Sequence, residues 1–258
     1  MENAPQSAAT APHSAPAPRW APRLSKAALY VCGGAIAIAG AGLTLARYDL
    51  LPKMAGFTAF LGGGLVAAVA LVLAIAALLV GWRTGNPRRN WAIVALVVAA
   101  AYVGFLATRP MSAGNAPPIH DVTTDIANPP QFETLTLRED NLVGVGSVEN
   151  WQQIHAAAYG DIGPVTLPMP VEQATAVVER LAREEGWAIA VSDPARGHVE
   201  ATASVSYIRF YDDVVFRITP VGAGQSRIDM RSVSRVGVGD LGVNARRIRA
   251  FLARLTAV

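Results

Sequence analysis

Three long uncharged apolar runs fill the first part of the chain, at residues 27–46, 55–82 and 91–108. Each meets the roughly 17–25 residues needed to cross about 30 Å of hydrocarbon at about 1.5 Å per residue, so the pattern predicts three transmembrane helices. Tyr48, Trp82 and Trp91 stand at run ends, where amphipathic rings favour the headgroup level. No Asp, Glu, Lys, Arg or His lies inside a run. Ionisable groups at membrane depth mark ion and proton paths, so the runs read as an anchor rather than a transporter. The glycine patches at 33–34, 40–42 and 62–64 suit close helix packing, since small residues let backbones approach. A cleaved signal peptide is the rival for the first run, but the charged stretch before it is long and the apolar core exceeds the usual ~7–15 residues. Cys32 follows bulky Tyr30 and Val31 and opens the run, so it reads as a buried thiol and not as a lipoprotein site.

Past residue 110 the periodicity changes. Pro170 opens a helix to about Glu185, with Val171, Ala174, Val177, Val178, Leu181 and Ala182 on one stripe and Gly186 as its stop. Four alternating segments follow: Trp187/Ile189/Val191, then Val199/Ala201/Ala203/Val205, then Val214/Phe216/Ile218, then Ile228/Met230. Period-2 alternation predicts strands with one buried and one wet face. A last helix over about 240–255 places Leu241, Ala245, Ile248, Phe251, Leu252 and Leu255 on one stripe, with Arg246, Arg247, Arg249 and Arg254 mainly outside it. The order α-β-β-β-β-α gives an α+β fold, helices on one face of an antiparallel sheet. A three-residue loop at 222–224 would pair Val221 with Gln225 and set Arg217 opposite Asp229. The expected segments are a disordered Ala/Pro-rich arm (1–26), the three-helix anchor (27–109), an extended tether (110–131) and the α+β domain (132–258). Within 132–168 only a short helix near 151–159 is visible.

Composition sharpens this division. The 258 residues are 52% hydrophobic and 16% charged, against about 25% charged for ordinary soluble domains. Of the 41 Asp, Glu, Lys and Arg residues, 30 lie beyond residue 109. That region carries thirteen Arg, no Lys and seventeen acids, so the basic balance of the chain belongs to the membrane half and gives no support to nucleic-acid binding. Six cations (Arg19, Arg23, Lys26, Arg83, Arg88, Arg89) flank one side of the spans and three (Arg47, Lys53, Arg109) the other. The positive-inside rule then puts the N-terminus in the cytoplasm and the C-terminal domain outside, in the periplasm of a Gram-negative cell. One cysteine excludes an internal disulfide framework and a cysteine-cage metal site.

Candidate chemistry gathers in three places. His120, Asp121 and Asp125 stand together but lack the further His of a metal site. Asp212 and Asp213 are strand neighbours that point to opposite faces, and Asp213 suits pairing with an Arg. Gly237-Val238-Gly239-Asp240-Leu241-Gly242 satisfies G-x-G-x-x-G, yet no second parallel strand or ribose-binding acid follows. It reads as a turn with Asp240 as cap, beside which Arg231, Arg235 and loop amides could hold an anion. Ser232 and Ser234 lack a nucleophile elbow, and Asn244 should tie the last helix to the 235–240 loop.

His120–Asp125 (HDVTTD), the Asn128-Pro129-Pro130 triplet, Phe210–Val214 (FYDDV) and the run RSVSRVGVGDLGVNARRI from Arg231 to Ile248 together resemble a bacterial and plastid family known only as a domain of unknown function. The resemblance covers about residues 117–256 and implies no activity; the three-span anchor is an elaboration on it. The resulting expectation is a membrane-anchored envelope protein of the inner membrane. Its extracytoplasmic domain binds a partner protein or an anionic or amphiphilic ligand through Arg231, Arg235, Asp212, Asp213, Asp240 and Asn244, with Ser232, Ser234, His120 and Asp121 nearby. No catalytic residue, cofactor or metal is expected. A hydrolase using His120, Asp121 or Asp213 is one alternative, and a structural element of an envelope complex is another.

Overall fold

The computed structural model describes residues 20–112 and 116–257, and the arm over 1–19 lies outside them. Three helices lead the chain: α1 (Trp20–Arg47), α2 (Lys53–Thr84) and α3 (Arg89–Ser112). All three are long and apolar enough to span a membrane. α1 starts seven residues before the apolar run, so residues 20–26 belong to a helix and not to the arm. Pro22 permits this because its fixed φ and missing N–H are tolerated in a first turn.

The chain divides into two compact bodies, one built from residues up to Ile38 with Leu61–Leu106, the other from Ala39–Phe60 with Ala107–Val258. In the first, alanines make the contact: Ala28 and Ala35 of α1, Ala67, Ala70 and Ala74 of α2, and Ala95 and Ala99 of α3 are all sealed from solvent. The glycine patches contribute little here. Gly33, Gly34 and Gly62 face open space, while Gly64 abuts Leu106. An alanine stripe at i, i+3, i+4 gives the same close approach without glycine's entropic cost. In the second body, Gly42 and Gly56 do bring α1 and α2 together.

The remainder of the second body is an α+β domain: β1 (Asp121–Thr123), α4 (Val148–Tyr159), β2 (Val165–Leu167), α5 (Val171–Glu184), β3 (Ala188–Asp193), β4 (His198–Val205), β5 (Phe210–Gly222), β6 (Gln225–Ser234) and α6 (Val243–Leu255). The sheet runs β1-β6-β5-β4-β3, with β2 on the far end of β6. Alternation on β4, β5 and β6 sends Val199, Val214, Phe216, Ile218, Ile228 and Met230 into one core under the helices. Trp187, Phe216 and Phe251 stack at its centre, with ring centroids 4.9–5.0 Å apart about Phe251.

Three expectations need correction. The described part of 110–131 is no extended tether, because α3 reaches Ser112 and Ile119, His120, Asp121 and Val122 are buried at the β1 edge. The polar face of the sheet is not wet. The chain from Asp125 to Arg138 crosses it, tied down at Asn128, Pro130 and residues 133–135. Finally, Arg217 does pair with Asp229, but Gly222 and not Val221 meets Gln225. The loop is two residues, and a bulge at Val221 restores the face that a plain two-residue loop would invert.

Candidate functional site

The candidates converge where β1, β6 and the start of α6 meet, and the pleat divides them between two faces. On the helix-covered face stand Asp212, Ser232 and Ser234, which the register aligns across β5 and β6. Arg247 reaches in from α6 to Asp212 (2.6 Å) and donates to the Ser232 hydroxyl (2.9 Å). Ser232 donates to Asn244 Oδ1 (2.7 Å), and Asn244 Nδ2 donates to the Ser234 hydroxyl and to the His120 carbonyl, both at 2.9 Å. Asn244 therefore ties the helix to β6 and the residue before β1, more than to the 235–240 loop. Arg247 is a correction too, since it turns inward. It lies three residues after Asn244, on the same side of the helix, and that spacing was the available signal.

The other face holds Arg231 and Asp213. Asp121 grips the Arg231 guanidinium with both oxygens (3.0 and 2.7 Å), and both side chains are buried. Such a fork-to-fork pair is among the stronger charge-assisted arrangements. Asn141 Nδ2 adds a bond to Asp121 (2.6 Å), while its Oδ1 meets His120 Nε2 (3.2 Å). His120 Nδ1 faces the Val238 carbonyl (3.0 Å). Both ring nitrogens thus lie against protein oxygens, and neither is open to a substrate. Asp213 holds Arg235 with both oxygens (2.8 Å each) and accepts from Thr202 (2.8 Å). Arg235 differs from the other candidate cation, Arg231, in keeping 44% of its side chain exposed, against 7%.

Asp240 sits ahead of α6 and accepts the N–H groups of Gly242 (2.8 Å) and Asn244. Burial pushes its carboxyl up against the pull of those two N–H groups, and the Asp212 charge adds to the rise. The amides an anion would use at this helix start are therefore taken. The loop 235–240 is held by Arg138, which donates to the Gly237 carbonyl (2.7 Å).

Sequence patterns missed the capture of Glu200. Its carboxylate is fully buried and accepts the successive N–H groups of Glu133 (2.6 Å), Thr134 (3.0 Å) and Leu135 (2.6 Å), with His198 Nε2 at 2.7 Å. Burial alone would raise this carboxyl, but the three backbone bonds and His198 outweigh it and leave it lowered. No local signal marks residues 133–135 as donors. His155 is equally hidden: its Nε2 accepts from the Thr123 N–H (3.0 Å), its Nδ1 is unpartnered, and burial pushes it below the usual histidine range. Among the described residues no group of three or more His, Cys, Asp or Glu is placed to hold a metal ion.

No curated protein matches this chain. Residues 121–255, just over half of the chain, match the model of the family described as protein of unknown function DUF1499, and the chain belongs to that family.

Proposed function

We propose that this DUF1499 protein is an envelope protein of the cytoplasmic membrane, with its N-terminus inside and its α+β domain on the extracytoplasmic side. There the domain binds an anionic amphiphile and performs no hydrolysis. The orientation rests on the six-to-three division of flanking cations. The binding reading rests on one observation. Of the two arginines in the candidate cluster, Arg231 is consumed by Asp121 inside the protein, whereas Arg235 is braced by Asp213 and Thr202 yet open to solvent. A guanidinium held by a second carboxylate and still exposed is oriented for an incoming anion. The hydrolase reading lacks comparable support, since both His120 ring nitrogens face protein oxygens and the carboxylates of Asp121 and Asp213 are each taken by an arginine.

Sidedness is tested by replacing Cys32 with Ala and placing a cysteine at exposed Ala223. An impermeant thiol reagent should label intact spheroplasts, and labelling only after lysis refutes the orientation. Binding is tested on the full chain in neutral detergent, with dodecyl phosphate as probe. It should raise the melting temperature of the wild type and of Arg235→Lys but not of Arg235→Gln. Equal shifts in all three, or none in the wild type, refute the role of Arg235.

A further inference from the structure

We infer that the open cavity between the α1–α2 turn and the rim of the sheet is a headgroup site for an anionic phospholipid of the bilayer that holds the helices. This deepens the binding reading above and rests on it. The cavity has a volume of about 470 Å³, within the usual range for small-ligand sites. Its walls are the turn 49–53 on one side and Tyr211, Arg235 and Val236 on the other.

Depth is set by helix length. The 28 residues of α1 rise about 42 Å at 1.5 Å each, which exceeds the ~30 Å hydrocarbon and carries the helix end into the headgroup layer. The turn exposes Tyr48 and Leu50, an aromatic and an aliphatic side chain suited to that depth. The end of the sheet meets the same turn within this body of the protein. Arg47 donates to the Tyr207 carbonyl (2.7 Å), Tyr211 donates to Asp49 (3.2 Å), and Phe57 meets Phe210 edge to face at 6.1 Å.

Charge selects the ligand. Lys53 and Arg235 line the cavity, while Arg47, on the Tyr207 carbonyl, and Arg209, over the Tyr211 ring, stand at the adjoining turn. Lys53 is paired with Asp49 and Arg235 with Asp213, while among the described residues Arg47 and Arg209 form no ion pair. Their excess positive charge stands beside α2, which has no acid in its first turn to offset its positive end. Lys53, Arg209 and Arg235 all lie over the Tyr211 ring, at 4.9, 6.0 and 5.6 Å. Leu50, Leu51, Pro52 and Val236 supply the apolar wall that a glycerol backbone and the first acyl carbons need. The backbone is strained for this arrangement. Of the four non-glycine residues with positive φ among those described, three stand here: Asp49, Ser206 and Arg209. Strain of that kind persists where the surroundings over-determine it, commonly at binding sites.

The test uses the full chain in nanodiscs of phosphatidylcholine with a minority of phosphatidylglycerol, released into native mass spectrometry to count retained lipids. The wild type should retain phosphatidylglycerol well above its bulk share. Arg47→Gln with Arg209→Asn, the latter chosen because asparagine tolerates positive φ, should cut that enrichment by about fivefold per cation removed. Leu51→Trp, which fills the cavity and leaves the charges alone, should cut it as well. Retention at the bulk ratio in the wild type, or unchanged enrichment in either variant with an unaltered melting temperature, overturns the inference. If dodecyl phosphate still stabilises the protein in that event, only the lipid site falls; if it does not, the binding reading falls too.

Discussion

Asn244 has four hydrogen-bonding capacities on its side chain, and all four are used. Its oxygen accepts from Ser232 and Arg247, and its nitrogen donates to His120 and Ser234. Only an amide presents two acceptor sites and two donors in this geometry. Asn244→Asp keeps the shape but turns a carboxylate oxygen toward the His120 carbonyl, so unfolding of the full chain in neutral detergent should cost less by about 2–3 kcal/mol. By contrast, Arg254→Ala removes only surface pairs with Glu184 and Glu185 and should leave the melting temperature essentially unchanged. Glu200 makes a pH-dependent case. Its carboxyl is lowered in the fold, so its stabilisation is complete above the unfolded glutamate value of about 4.3 and is lost as pH falls through the lower folded value. Glu200→Gln should lower stability by about 2–3 kcal/mol at neutral pH and flatten the acid-side slope of melting temperature against pH. An unchanged slope would assign acid sensitivity to another group. Asp213 as an arginine's partner and Asn244 as a tie were legible because residue type and position along a periodic element constrain them. The Glu200 cradle was not, because its donors are backbone amides 65 to 67 residues away that any sequence could supply.

At the scale of elements, legibility followed the strength of the apolar period. α5, α6 and strands β3 to β6 each carry a stripe or an alternation that one core explains. β1 and β2 are three residues long, too short for a period to register. The segment over the polar face is held there by hydrogen bonds to Glu200, Arg217 and Arg231, which its own polar sequence does not announce. The β5–β6 hairpin is a sharper lesson. The expected pair Arg217–Asp229 is present although the expected loop is not, since the bulged Val221 supplies the one unpaired residue that Gly222 would have supplied in a three-residue loop. Removing Val221 and changing Ala223 to Asn should therefore leave a regular Asn-Gly hairpin with every pair below it intact. The expected outcome is a folded protein in which an Arg217→Ala, Asp229→Ala cycle returns the same coupling as in the wild type. A collapse of that coupling would mean that the bulge, and not the core face, sets the register.

At the scale of the molecule, the chain separates its charges by task. Thirteen arginines and seventeen acids beyond residue 109 are spent mostly on pairs within the domain, as at Arg231–Asp121, Arg247–Asp212 and Arg249–Asp161. Such paired residues contribute little to the net field that insertion reads, and long translocated domains follow the charges close to the spans. The proposed orientation therefore depends on nine flanking cations, six against three. The cluster Arg83, Arg88 and Arg89 between α2 and α3 is half of the larger set. Neutralising all three leaves three against three and removes the bias. A reporter joined to the C-terminus and active only outside the cytoplasm should be fully active on the wild type and should lose a substantial fraction of its activity on the triple variant. A complementary cytoplasmic reporter should gain what the first one loses. If the triple variant stays fully oriented, the cations ahead of α1 act alone, and the three between α2 and α3 serve some purpose other than topology.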